Sequence, residues 1–285
     1  MRDRTHDQIL ATTTSDPVPK NQNSALCTSM ALCLAASLAE GNGFDAVDQM
    51  NRYLRSWKEG YMSSTGRCFD IGLETREELS RFQRTGYPSA DFDANHGPLR
   101  RLAPVPIFYY NQAEEAVWLC GDSSRTAEAS TIAIDACRYF GGLLIGAING
   151  VSKDELLSPC YSPIPGYRSQ LHPDIREVAE GYFKIAEPPA ISALPFVVPT
   201  LEAALWAFHR TDNFRDGGLK AVNLGDHADT IGAVYGQIAG AFYGASGIPS
   251  EWVQKLARLD LIETCLAGLI KGNGNSQTGL AQRAN

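Results

Sequence analysis

Basic residues are in short supply: 25 Lys and Arg stand against 32 Asp and Glu, a net charge of −7. No excess positive charge is available to neutralise a phosphate backbone, which argues against nucleic acid as a partner. Any CxxC pair is also missing. The seven cysteines (Cys27, Cys33, Cys68, Cys120, Cys137, Cys160 and Cys265) are scattered and odd in number. That pattern signals neither a zinc knuckle nor a disulfide framework, and reduced thiols in a cytoplasmic protein account for it most simply. There is no uninterrupted run of about 18 apolar residues, so neither a membrane span nor a membrane partner is expected. Residues 1–23 begin with charge but lack the apolar core of a secretory signal. They are polar, contain Pro17 and Pro19, and are expected to hold little fixed structure. Convincing period-two alternation is absent, and no internal repeat stands out.

Helical patterns fill the rest. A chain of 285 residues with 44% hydrophobic content can bury a large core. Thr28 to Glu40 (TSMALCLAASLAE) is apolar nearly all round, as a buried helix should be. Asp45 to Gly60 is amphipathic, with Val47, Met50, Tyr53, Leu54 and Trp57 at helical spacing. Further helices are predicted near 75–85, 114–120, 129–148, 174–183, 200–210, 214–224 and 249–269. Loops are expected at 63–72 and 86–98. The sequence therefore predicts one all-α domain over 24–270, preceded by an atypical segment 1–23 and followed by a disordered tail 271–285.

The densest feature is Asn223 to Gly244, NLGDHADTIGAVYGQIAGAFYG. Gly232, Gly236, Gly240 and Gly244 recur every four residues and should share a helix face. Each glycine costs a helix interior about 0.5–1 kcal/mol relative to alanine, so close approach of a second helix is the expected gain. Asp226, His227, Asp229 and Thr230 stand at the N-terminal end. The plain reading of that cluster is an Asp N-cap; the sharper one is a set of oxygen donors for a hard cation such as Mg²⁺.

Six segments, taken in order, resemble the ADP-ribosylglycohydrolase family. They are TSMALCLAASL at Thr28, SSTGRCFDIG at Ser63, HGPLRRLAPVP at His96, SSRTAEASTIAIDACRY at Ser123, TLEAALWAF at Thr200 and the glycine-rich stretch at Asn223. The resemblance implies an all-α helical bundle that cleaves an ADP-ribosyl glycosidic bond with Mg²⁺ assistance. It implies ADP-ribose, or an ADP-ribosylated small molecule or protein, as the ligand. Carried over residue by residue, it assigns Asp229 a catalytic role and Asp229, Thr230, Asp226 and His227 to the metal. Ser63, Ser64, Thr65, Gly66, His96, Gly97 and Ser123 are assigned to substrate binding.

The transfer fails at several places. Where family members carry Trp-Thr-Asp-Asp-Thr, this chain has Ser24-Ala25-Leu26-Cys27-Thr28, which removes hard oxygen ligands. The family's Asp-x-Asp-Thr is His227-Ala228-Asp229-Thr230 here, with Asp226 one position upstream as a conceivable substitute. The family's Asn-Gly-(Ser/Pro)-Leu-Met-Arg is His96-Gly97-Pro98-Leu99-Arg100-Arg101, and its Thr-His pair is Ala127-Glu128. Glu128 near a pyrophosphate would add repulsion. Nothing in residues 1–23 resembles the family's glycine-rich opening helix, which leaves a truncated gene product or a replaced N-terminus as the two readings. A hydrolase with an impaired metal centre is therefore expected, with a non-catalytic ADP-ribose- or nucleotide-binding relative as the alternative. Lesser readings are a Cys27–His227 pair, or Cys27, His227 and Asp229 around Zn²⁺. Arg100-Arg101 reads as a solvated basic patch, His209 as a helix-end cation, and Tyr235, Phe242, Tyr243, Trp252, Tyr109 and Tyr110 as core aromatics.

Overall fold

The computed structural model describes residues 26–68, 71–88, 97–164, 166 and 171–273. Among these the chain is all helix and loop, with no β-strand. The helices are α1 (Leu26–Gly41), α2 (Ala46–Glu59), α3 (Leu73–Thr85), α4 (Pro104–Phe108), α5 (Ala113–Arg125), α6 (Thr131–Ile148), α7 (Lys153–Leu156), α8 (Pro173–Glu180), α9 (Val197–His209), α10 (Phe214–Val222), α11 (Ala228–Tyr243), α12 (Ser250–Val253) and α13 (Leu259–Asn273). Short 3₁₀ turns at Leu99–Arg101, Tyr182–Lys184 and Ala245–Gly247 join them.

The helix ends follow from local chemistry. Asp45 caps α2 by accepting from the Val47 and Asp48 amides at 2.8 and 3.0 Å. Ser130 caps α6, and Asn213 caps α10. Gly60 closes α2 in the left-handed region, φ 71, a conformation glycine adopts without steric cost.

Why α1 is apolar on every side becomes clear from its packing. Leu32, Leu34, Ala35 and Leu38 join the main core. Met30 and Cys33 instead face a smaller cluster with Met50, Tyr53, Leu79 and Phe82, which ties α2 and α3 to the body. Helix α13 covers α1 from outside. At the centre lies α6, which is long and apolar enough for a membrane span by length and composition alone; 83% of it is buried inside the fold. Of the apolar positions expected on α2, Met50 and Tyr53 are buried, whereas Val47 is 45% exposed. Gln49 and Ser56 take buried places instead.

Helix α11 packs against α6, α9 and α10. Gly232, Gly236 and Gly240 are buried along it, in keeping with close helix approach. Gly244 lies past its end as the C-cap, φ 77, donating to the Gly240 carbonyl at 3.0 Å. The stripe therefore has three members, because the fourth glycine ends the helix. The aromatic residues behave as core: Tyr235 is buried and its hydroxyl donates to the Phe214 carbonyl at 3.0 Å. The reading of His209 as a cation needs correction. It lies edge-on to Phe183, and burial, with Arg210 and Lys184 nearby, lowers its pKa.

On α9, Glu202 is partly buried facing α8, and burial, reinforced by Glu177, raises its carboxyl to about 7. The folded form thus holds a proton that the unfolded chain releases nearer 4.5. Stability from this group is greatest below the unfolded value and falls as pH rises towards 7. Glu202→Gln is expected to flatten that part of the stability–pH curve and to raise the melting temperature at pH 8. Thermal unfolding of both proteins between pH 4.5 and 8 measures it.

Candidate ligand site

The site is built around the start of α11. Gly225 and Asp226 turn the chain through the left-handed region, φ 85 and 42, so Asp226 precedes the helix and is not part of it. The N-cap is His227, with no side-chain capping bond, which corrects the expectation of an Asp cap. Asp226 and Asp229 are exposed, His227 is half-buried, and Thr230 is 1% exposed.

One side chain determines what stands over Thr230. Gln237 is seven residues further along α11, hence two turns away on the same face. Its amide donates to the Leu99 carbonyl at 2.8 Å and accepts from the Ala103 amide at 2.8 Å. The two bonds bracket the 3₁₀ turn and hold it against α11. Arg100, between them in sequence, is thereby placed so that its Nη1 donates to Thr230 Oγ1 at 3.3 Å. The Arg100 Nε is buried without a partner.

Arg101 points elsewhere. It is 3% exposed, its guanidinium lies 5.0 Å from the Tyr53 ring centre, and Nη1 reaches Met30 Sδ at 3.8 Å. The Arg100-Arg101 pair is thus not a solvated patch. Arg101 belongs to a buried polar group with Gln49, whose Nε2 lies 2.8 Å from Tyr53 Oη and 3.1 Å from both Ser123 Oγ and Thr126 Oγ1. Burial pushes the Tyr53 phenol up to about 12, with Arg101 pulling the other way. Glu128 is fully buried here too, and its carboxylate accepts from the Ser130 amide at 3.2 Å. Arg101 and Glu128 both act on Cys137, whose thiol burial drives to about 12. The glutamate is thus enclosed by the fold, with its carboxylate bonded to the Ser130 amide.

The remaining expected ligand contacts divide as follows. Ser63, Thr65 and Gly66 form a closed loop: Ser63 Oγ donates to the Arg67 carbonyl at 2.7 Å and accepts from the Thr65 amide at 3.2 Å. Ser64 stands between them, half-buried. Gly97 is buried immediately before the 3₁₀ turn. Ser123 is 3% exposed, its hydroxyl held by Gln49. His96 and Ala25 lie outside the described residues. Sequence reasoning missed Gln49 and Gln237, polar residues on otherwise buried helix faces; that mismatch was the available signal.

Among the described residues no three His, Cys, Asp or Glu side chains converge as a metal cage. Cys27, His227 and Asp229 therefore do not assemble a zinc site. Among the described residues, the oxygen donors gathered at the start of α11 are Asp226, Asp229 and Thr230, and the third already meets a permanent cation. By themselves these three do not fit the divalent centre that the resemblance implied.

A helical bundle with a polar mouth between α11 and the Leu99–Arg101 turn defines the structural class, and comparison with known proteins fixes the family. The ADP-ribosylglycohydrolase family model matches residues 7–278. The chain belongs to that family. It is 38% identical over 234 residues to the ADP-ribosylarginine hydrolase Tri1 of Pseudomonas putida, covering 81% of this chain and 61% of the relative. The Serratia proteamaculans Tri1 is 36% identical, with 82% and 63% covered. The ADP-ribosyl-[dinitrogen reductase] glycohydrolase of Rhodospirillum rubrum is 26% identical, with 80% and 72% covered. The chain thus spans about three fifths of the length of the two Tri1 proteins. A solved ADP-ribosylglycohydrolase-related protein complex superposes with a TM-score of 0.79 at 34% identity, covering 95% of this chain and 98% of that one.

Two substitutions test the architecture. Gln237→Ala leaves the Ala103 amide without its acceptor and the Leu99 carbonyl with only its long bond from the Leu102 amide, and should destabilise by about 1–3 kcal/mol; denaturant unfolding reads this. Gly60→Ala forces a side chain at φ 71 onto the Gly66 carbonyl. A loss of about 1–3 kcal/mol or more is expected, because the obstructing atoms are backbone.

Proposed function

We propose that this chain recognises an ADP-ribosyl group as its relatives' names imply, and that glycosidic cleavage by it is impaired. The observation that carries the reading is the start of α11, where Thr230 meets Arg100 and no cage of three metal-ligating side chains forms among the described residues. Family membership and the loop at Ser63–Gly66 support the recognition half. The residues standing at the expected donor positions, Ala25, Leu26, Cys27 and His227, support the impairment half. Arginine-linked ADP-ribose is the acceptor chemistry suggested by the two Tri1 relatives. A wholly non-catalytic binder of ADP-ribose or a related nucleotide is the limiting form of the same proposal, and the cytoplasmic placement expected from the cysteines belongs to it too.

The test is release of ADP-ribose from ADP-ribosylarginine in saturating Mg²⁺, run beside a Tri1 relative. Turnover on the order of 100-fold slower or more is expected, at least the scale of a disturbed metal shell. Equal rates would refute the impairment. Thermal unfolding with ADP-ribose at 100 times its dissociation constant should show about 2.7 kcal/mol of stabilisation; no shift under any condition would refute recognition.

A further inference from the structure

We propose that Arg100 replaces the divalent cation at the start of α11, so that the site takes the diphosphate of an ADP-ribosyl ligand without metal. The placement is rigid. Gln237 fixes the backbone on both sides of Arg100, and Thr230 Oγ1 receives its Nη1 at 3.3 Å. A Mg²⁺ held by that same oxygen at about 2.1 Å would lie within about 5.5 Å of Nη1. Guanidinium stays charged at any accessible pH, so a Mg²⁺ on that hydroxyl would face a fixed like charge at short range. No ion pair of Arg100 forms among the described residues, Asp226 and Asp229 included, so its charge is not cancelled locally.

Its hydrogen-bonding capacity is equally unspent. Of five N–H donors, one meets Thr230, and the buried Nε has no partner. The Nε is enclosed by protein, so the donors open to a ligand are those of the outer nitrogens, and phosphate oxygens are acceptors that a guanidinium matches well. The residue standing at this place in the family's motif is methionine, which offers neither charge nor donor. The exchange therefore adds a fixed positive charge in the same chain where cation-binding oxygens were lost at 25–27.

The metal half of this inference stands independently of ligand identity; the diphosphate half rests on the reading that the site takes ADP-ribose. Manganese is the probe for the first. Titration of the full chain with Mn²⁺, followed by the electron paramagnetic resonance of the free ion, should show no stoichiometric site up to 1 mM (roughly the weak end of protein divalent-cation affinities). One Mn²⁺ bound per chain, lost in Asp229→Asn, would overturn the proposal. For the second half, thermal shifts with ADP-ribose should be the same in EDTA and in Mg²⁺. Arg100→Met should weaken the EDTA shift to that of a ligand bound at least about tenfold less tightly, with Arg100→Lys intermediate. A shift that appears only with Mg²⁺, or one unchanged in a folded Arg100→Met protein, would overturn it. No shift with any protein would instead remove the ADP-ribosyl reading, leaving the manganese result to decide the role of Arg100.

Discussion

Two hydrogen bonds from one buried amide hold the candidate site in place. Gln237 donates to Leu99 and accepts from Ala103, and so fastens a 3₁₀ turn, which lacks the length to stabilise itself, onto a helix buried on several sides. A neutral amide anchors backbone inside a core at little cost when its groups are satisfied, and the Gln237 Nε2 also donates to the Ala233 carbonyl at 3.3 Å. Everything at the mouth follows. The turn presents Arg100 to Thr230 and sends Arg101 the other way, across Tyr53 towards Met30. Neighbours in sequence thus serve two regions, one at the start of α11 and one in the interior.

The fold was legible because it rests on periodicity. Helices near 28–40, 45–60, 129–148 and 200–210 are written as apolar stripes bounded by Asp, Ser, Asn or Gly, and burial at helical spacing leaves few alternatives. The glycine spacing likewise announced the close packing around α11, though it could not show that Gly244 belongs to the cap. The site was legible only in its residue types. Asp229 and Thr230 are recognisable in the sequence, but one is exposed and the other is held by an arginine 130 residues away. Pairings of that range depend on tertiary packing, and no local pattern encodes them. The same holds for Glu128: beside a pyrophosphate it would repel, but here it is buried and accepts from the Ser130 amide.

The family relationship and the local chemistry therefore describe different layers of the molecule. The helical body is shared along nearly the whole chain, as the solved relative covering 95% of it shows. Of the positions where the expected motifs break, Arg100 and His227 stand at the start of α11. Packing constrains many residues at once, whereas a position facing water constrains few.

Helix α1 shows how narrow the permitted region was. Because its body is read from two sides, by Leu32, Leu34, Ala35 and Leu38 on one and by Met30 and Cys33 on the other, it has no spare face on which sequence can drift. Cys27, half-exposed in the first turn, lies in neither cluster. The helix is therefore a record with a fixed text and an erasable margin. Its buried letters are locked by two independent readers, and Cys27 stands where neither of them reads.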